Sequence, residues 1–135
     1  MPAATVANTA VPDEFTAPFR RAALVLVITV DLTWVAAMDQ HLGRIGVVSG
    51  ASVYRFVWNI LLGARNEGYG GTLTTMANPE EEQIRDLLGI PDTHAVAALV
   101  PLGKPTRQLS KLRRRPVEEF TTRDRFDGPS FRRQA

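Results

Sequence analysis

Between Ser49 and Pro105 the chain switches its hydrophobic period again and again with almost no filler, and few folds accept that order. Val53, Val57, Ile60, Leu61 and Ala64 recur at helical spacing, and Tyr54, Trp58 and Leu62 form a second stripe beside them. A helix apolar over so much of its girth is expected in the middle of a fold. About 16 residues long, it would span about 24 Å. Ser49 or Ser52 is placed to cap its first turn, and Gly68 to end it in the left-handed conformation. Gly70-Gly71 leads into an extended Thr72-Leu73-Thr74-Thr75. Next comes a helix start: Asn78 as cap, Pro79 at the first helical position, and Glu80 to Glu82 against the positive end of the dipole. Glu81 stands three after Asn78, the capping-box spacing. Ile84, Leu87 and Leu88 are its expected buried face, and Gly89 with Pro91 its stop. Ala95 to Leu102 reads as an apolar strand with Pro101 near its end.

On the N-terminal side, Ala22 to Val30 is short, β-branched and apolar on both parities. That pattern suits a strand covered on both faces, hence a central one. From Leu32 to Leu42 the pattern fits either a short helix ending near Gly43 or a loop with a helical turn. Residues 1–17 are Ala/Thr/Pro-rich without periodicity and are expected to be a loose tail. The remaining divisions are a domain over 18–105 and an extended basic arm over 106–135. No repeat is present. The order strand, helix, strand, helix, strand predicts a small α+β or α/β layered structure.

Composition narrows the chemistry. The chain has 135 residues, enough for one modest domain, and is 44% apolar. It has no cysteine, so thiolate catalysis, disulfides and Cys-based metal sites are excluded. The net charge of +2 does not point to nucleic acid. The Ala22–Val30 run is far shorter than the roughly 20 residues of a membrane helix. Behind Arg20 and Arg21 it resembles a signal-peptide core, but Asp31 and Trp34 stand where a small-residue cleavage site belongs. The expected compartment is the cytoplasm.

Few motifs carry chemistry. In Gly68-Tyr-Gly-Gly-Thr-Leu-Thr-Thr75 the glycines would let backbone amides approach a planar cofactor; on local evidence alone, a helix end and connector is the favoured reading. No G-x-G-x-x-G fingerprint supports a dinucleotide fold. Lys104 to Arg115 holds six cations and no acid. Its guanidinium forks suit a phosphate or an acidic partner, and a solvated tail is the plain alternative. Aromatics are not interleaved there, as single-stranded nucleic-acid binding would want. His41 and His94 lack partners at ligand spacing, so no metal site is expected. Ser49 and Ser52 lack an elbow motif, so no catalytic side chain is assigned.

Taken together, AALVLVITVD, GASVYRFVWNILLGARNEGYGG, TLTT, PEEEQIRDLLGIPD, AVAALVPLGKP and LRRRPVEEF, in this order and spacing, resemble the C-terminal part of the nitroreductase family. The resemblance implies a truncated nitroreductase-like α+β fold, with a central buried helix packed on a small sheet. It implies FMN as cofactor and NAD(P)H as hydride donor, with a nitroaromatic or quinone-like small molecule as acceptor. By the same resemblance, the backbone at Leu73, Thr74 and Thr75 would meet the flavin ring, an apolar side chain would pack on one ring face, and Arg113 and Arg115 would grip the phosphate. A homodimer through the Val53–Leu62 helix is implied too. The family's N-terminal arginine- and serine-rich flavin motif has no equivalent here; Pro18-Phe-Arg-Arg21 does not supply it. Against this oxidoreductase reading stand a non-catalytic scaffold or partner subunit that has lost flavin, and a basic module that holds nucleic acid through its arginine arm.

Overall fold

The computed structural model describes residues 13–108 and 110–132. Helix α1 (Asp13–Arg21) precedes strand β1 (Leu24–Asp31), and a 3-10 turn (Leu32–Trp34) opens a long loop. Helix α2 (Ala51–Asn66), the short strand β2 (Gly70–Gly71), a 3-10 turn (Asn78–Glu80), helix α3 (Glu81–Leu88) and strand β3 (His94–Gly103) follow. An extended arm with a further 3-10 turn (Val117–Glu119) completes the described chain. The strands form one antiparallel sheet in the order β1-β3-β2. Val57 of α2 packs with Ile28 of β1 and with Ala97, Ala98 and Val100 of β3. The architecture is therefore α+β, a helix on a small sheet. No helix among the described residues is long and apolar enough to cross a membrane.

The strand expected at the centre lies at the edge. β3, not β1, has a neighbour on each side, and Val96, Ala97, Ala98, Val100 and Pro101 are all buried in it. β1 buries only Ile28 fully. Composition could not separate the two, because both runs are apolar on both parities and pairing alone decides which one is flanked. The register slips between Ile28, opposite Ala98, and Thr29, opposite Val96. Ala97 is thus an extra residue on β3, a bulge that breaks strict alternation.

Helix α2 runs for 16 residues, but only the first of its two stripes is covered. Val53, Ile60 and Leu61 pack on the core, whereas Tyr54, Phe56, Trp58 and Leu62 are exposed, Trp58 at 62%. Neither serine caps it: Gly50 is the N-cap and makes no side-chain bond. The loop backbone serves instead, with the Ala51 amide on the Val48 carbonyl at 3.0 Å. Gly68 does end the helix with φ +82°, a conformation costly to any residue with a Cβ.

Helix α3 departs from its sequence pattern in two ways. Leu87 and Leu88 are exposed, at 83% and 53%, and only Ile84 of the expected face is half-buried. Asn78 and Glu81 have capping-box spacing, yet their side chains bond across to β3 rather than to their own first turn. Asn78 Nδ2 donates to the Val96 carbonyl at 2.8 Å, and the Val96 amide donates to Glu81 Oε1 at 2.5 Å. Gly89 closes the helix in the left-handed region, as its position predicts.

The Leu32–Leu42 stretch resolves to a loop carrying one 3-10 turn, capped by Asp31 Oδ1 on the Thr33 amide at 2.9 Å. Of the tail expected over 1–17, residues 1–12 lie outside the described residues, and Asp13 onward is helical rather than loose. Asp13 and Glu14 at the start of α1 and Arg20 and Arg21 at its end oppose the helix dipole, and Arg20 pairs with Asp13 at 3.0 Å.

Candidate functional site

The segment after Gly68 is laid along β3 as a broken strand. Gly70 pairs with Gly103 and Gly71 with Leu102. Further along, the Thr72 amide reaches the Pro101 carbonyl at 3.4 Å. Thr74 and Leu99 exchange amide and carbonyl at 3.0 and 2.9 Å. Pro101 has no amide proton to return to Thr72, so the ladder is interrupted between β2 and the Thr74 bridge.

Alternation then settles which groups are available. Thr72 and Thr74 turn their backbone toward β3. Leu73 and Thr75 turn theirs the other way, and neither their amides nor the Leu73 carbonyl has a hydrogen-bond partner among the described residues. The Leu73 side chain packs against the core cluster, which holds the segment flat. The Thr75 carbonyl accepts from the Asn78 amide at 3.0 Å, and Thr74 Oγ1 accepts from the Met76 amide at 3.2 Å. The result is a short open edge with two outward donors and one acceptor. Such an edge fits the rim of a planar heterocycle with both acceptor and donor atoms, which isoalloxazine is.

Arg113 and Arg115 lie on the extended arm, where every residue with a described side chain from Thr106 to Phe120 is exposed. Arg115 Nε sits 3.1 Å from Glu119 Oε2, and its guanidinium lies 6.0 Å from the Phe120 ring centre. Arg113 makes no hydrogen bond or ion pair among the described residues. No such bond joins either arginine to Leu73–Thr75 within the chain. The structure thus sets Leu73, Thr74 and Thr75 along one edge and shows no bond between that edge and either arginine among the described residues.

Two other features stand out. A cavity of about 370 Å³ opens between the start of β1, the last turns of α2 and the end of β3, with mainly apolar walls that include Leu24, Ile60 and Leu102. Asp39, only 5% exposed, organises the loop before α2. It accepts from the Val47 amide and from Arg44, each at 2.8 Å, and from the Val48 amide at 3.4 Å. The Val47 amide first, and Arg44 second, hold its carboxyl below the usual range, against the opposing effect of burial. Neither Asp39 nor the Asn78–Glu81 contact with Val96 was singled out from the sequence. A lone Asp in an apolar stretch with glycines following at 43 and 46 was the signal available. No group of three or more His, Asp or Glu able to hold a metal ion occurs among the described residues.

The model of the nitroreductase family matches residues 10–104. The fold resembles the NADPH:FMN oxidoreductase from Vibrio harveyi solved with NAD+, with a TM-score of 0.61 at 20% identity, covering 85% of this chain and 54% of that one. A nitroreductase family protein from Clostridium novyi NT matches at a TM-score of 0.49 and 26% identity, covering 82% of this chain and 55% of that one. The chain spans about half the length of these structures. A search of curated proteins finds no match.

Proposed function

Because this chain belongs to the nitroreductase family, we propose that it works as an FMN-dependent oxidoreductase, moving hydride from NAD(P)H by way of the flavin to a nitroaromatic or quinone-like acceptor in the cytoplasm. The observation that carries this reading is the open edge at Leu73–Thr75, with its amides turned away from β3 and its spine fixed by the Thr74–Leu99 bridge. When bound, FMN supplies the two-electron chemistry. The chain's own part is placement. The Leu73 and Thr75 amides would orient the ring rim, and the half-buried Leu73 side chain, packed on the core, keeps that edge from shifting. No side-chain acid or base is required of it.

Arg113 and Arg115 are the proposed phosphate ligands. Guanidinium forks match phosphate oxygens bidentately, and the exposed Arg115–Glu119 pair is weak enough to yield to a dianion. A homodimer through α2 belongs to the same reading, because the uncovered Tyr54, Phe56, Trp58 and Leu62 make an apolar surface of the kind that marks an interface. In a dimer, the arm of one subunit is free to approach the edge of the other.

Titrating the purified protein with FMN tests the proposal. Saturable binding with quenched flavin fluorescence is expected, and Arg113→Ala or Arg115→Ala should each weaken it by about tenfold or more. A protein that stays colourless with excess FMN would overturn the oxidoreductase reading and favour the scaffold that has lost flavin. Retention on DNA or RNA that falls with salt would instead favour the basic module.

A further inference from the structure

We infer that Asn78 is a positioning residue for the flavin edge: its side chain ties the turn after Thr75 to β3 and so fixes where the Thr75 amide points. The inference rests on the proposed FMN reading and adds to it a residue that touches no ligand.

The Thr74–Leu99 bridge secures one end of the turn by main chain alone. The Asn78 amide closes the turn onto the Thr75 carbonyl, and Asn78 Nδ2 anchors the other end on the Val96 carbonyl at 2.8 Å. Glu81 Oε1 takes the amide of that same Val96. Two side chains three residues apart thereby satisfy both backbone groups of one strand residue, beside the bulge at Ala97 where regular pairing fails. They stand where a further strand residue would be.

The Asn78 Oδ1 atom shows which half of the amide matters. It is buried and has no hydrogen-bond partner. Buried orphan acceptors are uncommon, and a side chain that keeps one is held by its other end. Here that end is the donor on Val96. Without it the turn keeps the Thr74–Leu99 bridge and, further along, the Glu81 tie to the Val96 amide, but loses the side-chain bond nearest Thr75, and the outward amide of Thr75 loses its fixed direction.

Asn78→Asp is the discriminating variant, because it keeps the shape and removes the donor. At neutral pH a carboxylate would face the Val96 carbonyl; once protonated, the introduced group can donate to it again. Burial, with the Val96 carbonyl opposite and no donor at the other oxygen, raises the introduced carboxyl above its ordinary value of about 4, so FMN dissociation constants for wild type and variant are compared at about pH 8 and about pH 5. The expected ratio is about tenfold or more at the higher pH, falling toward one at the lower. Asn78→Ala should show a loss of similar size with no pH response, which keeps the test open should the Asp variant not fold. In both variants, hydrogen exchange at the Thr74 and Leu99 amides should quicken. If wild type binds FMN and both variants bind it equally well, the positioning role is overturned. If wild type binds no FMN, the proposed function fails instead. Exchange at Thr74 and Leu99 then decides whether Asn78 holds the edge, and unchanged rates would end that claim.

Discussion

The absence of a side chain at Gly71 sets how closely the 70–75 segment can run beside β3. A Cβ there would meet Leu102 Cδ2, the Pro101 carbonyl at 2.9 Å and Leu61 Cδ2 at 3.1 Å. Gly71→Ala is therefore expected to destabilise by about 1–3 kcal/mol. Gly63, inside α2, has nothing within 4 Å of its would-be Cβ, so Gly63→Ala should stabilise by about 0.5–1 kcal/mol through helix propensity. Denaturant unfolding of the two variants should move the midpoint in opposite directions; a shared direction would undo the close-approach argument. Asp39 makes a different prediction. Its folded carboxyl titrates lower than in the unfolded chain, so its stabilising contribution is present above about pH 4 and fades as pH falls through the depressed value. Asp39→Asn should melt below wild type near neutrality, and the gap should close on acidification. A gap that stays constant from about pH 7 to about pH 3 would show that the charge on Asp39 is not what holds the 39–48 loop.

Helix α3 shows where a hydrophobic pattern misleads. Ile84, Leu87 and Leu88 share helical spacing, but eight residues make barely two turns, and the helix leans on β3 through Asn78 and Glu81 rather than through its leucines. Leu87→Ala should change thermal stability by no more than about 0.5 kcal/mol, whereas Ile84→Ala should cost about 1–2 kcal/mol. Equal losses from the two would mean that Leu87 is covered after all. The ends of α2 and α3 were readable because Gly68 and Gly89 impose their own dihedral angles. The extended character of Thr72–Thr75 was readable from its glycines and threonines. Which way its amides face was not, since that follows from the register with β3 and from the proton that Pro101 lacks.

The molecule as a whole carries more apolar surface than its own chain covers. Phe56 and Trp58 project from α2, and Trp34, Met38, Ile45 and Val47 from the loop before it, with Trp34 at 87% exposure. Self-association through α2 is the expected consequence. Sedimentation equilibrium should find a dimer, and Trp58→Asp should shift it toward monomer while leaving the far-UV spectrum unchanged. Wild type that stays monomeric at every concentration would remove α2 as an interface. The arginines of the arm belong to this level as well. Their residue type pointed to phosphate, but Arg113 and Arg115 have no tie to Leu73–Thr75 within one chain, and their use depends on what packs around them.

Local rules were enough for the C-terminal ends of α2 and α3, the extended β3 segment and the α+β class, because glycine dihedrals and hydrophobic period act between residues a few positions apart. Distant contacts were needed to make β3 rather than β1 the central strand, to leave the second stripe of α2 bare, and to turn Asn78 and Glu81 onto Val96. Apolar spacing records which faces favour burial, but the identity of the covering surface is a property of chain segments that meet only after folding.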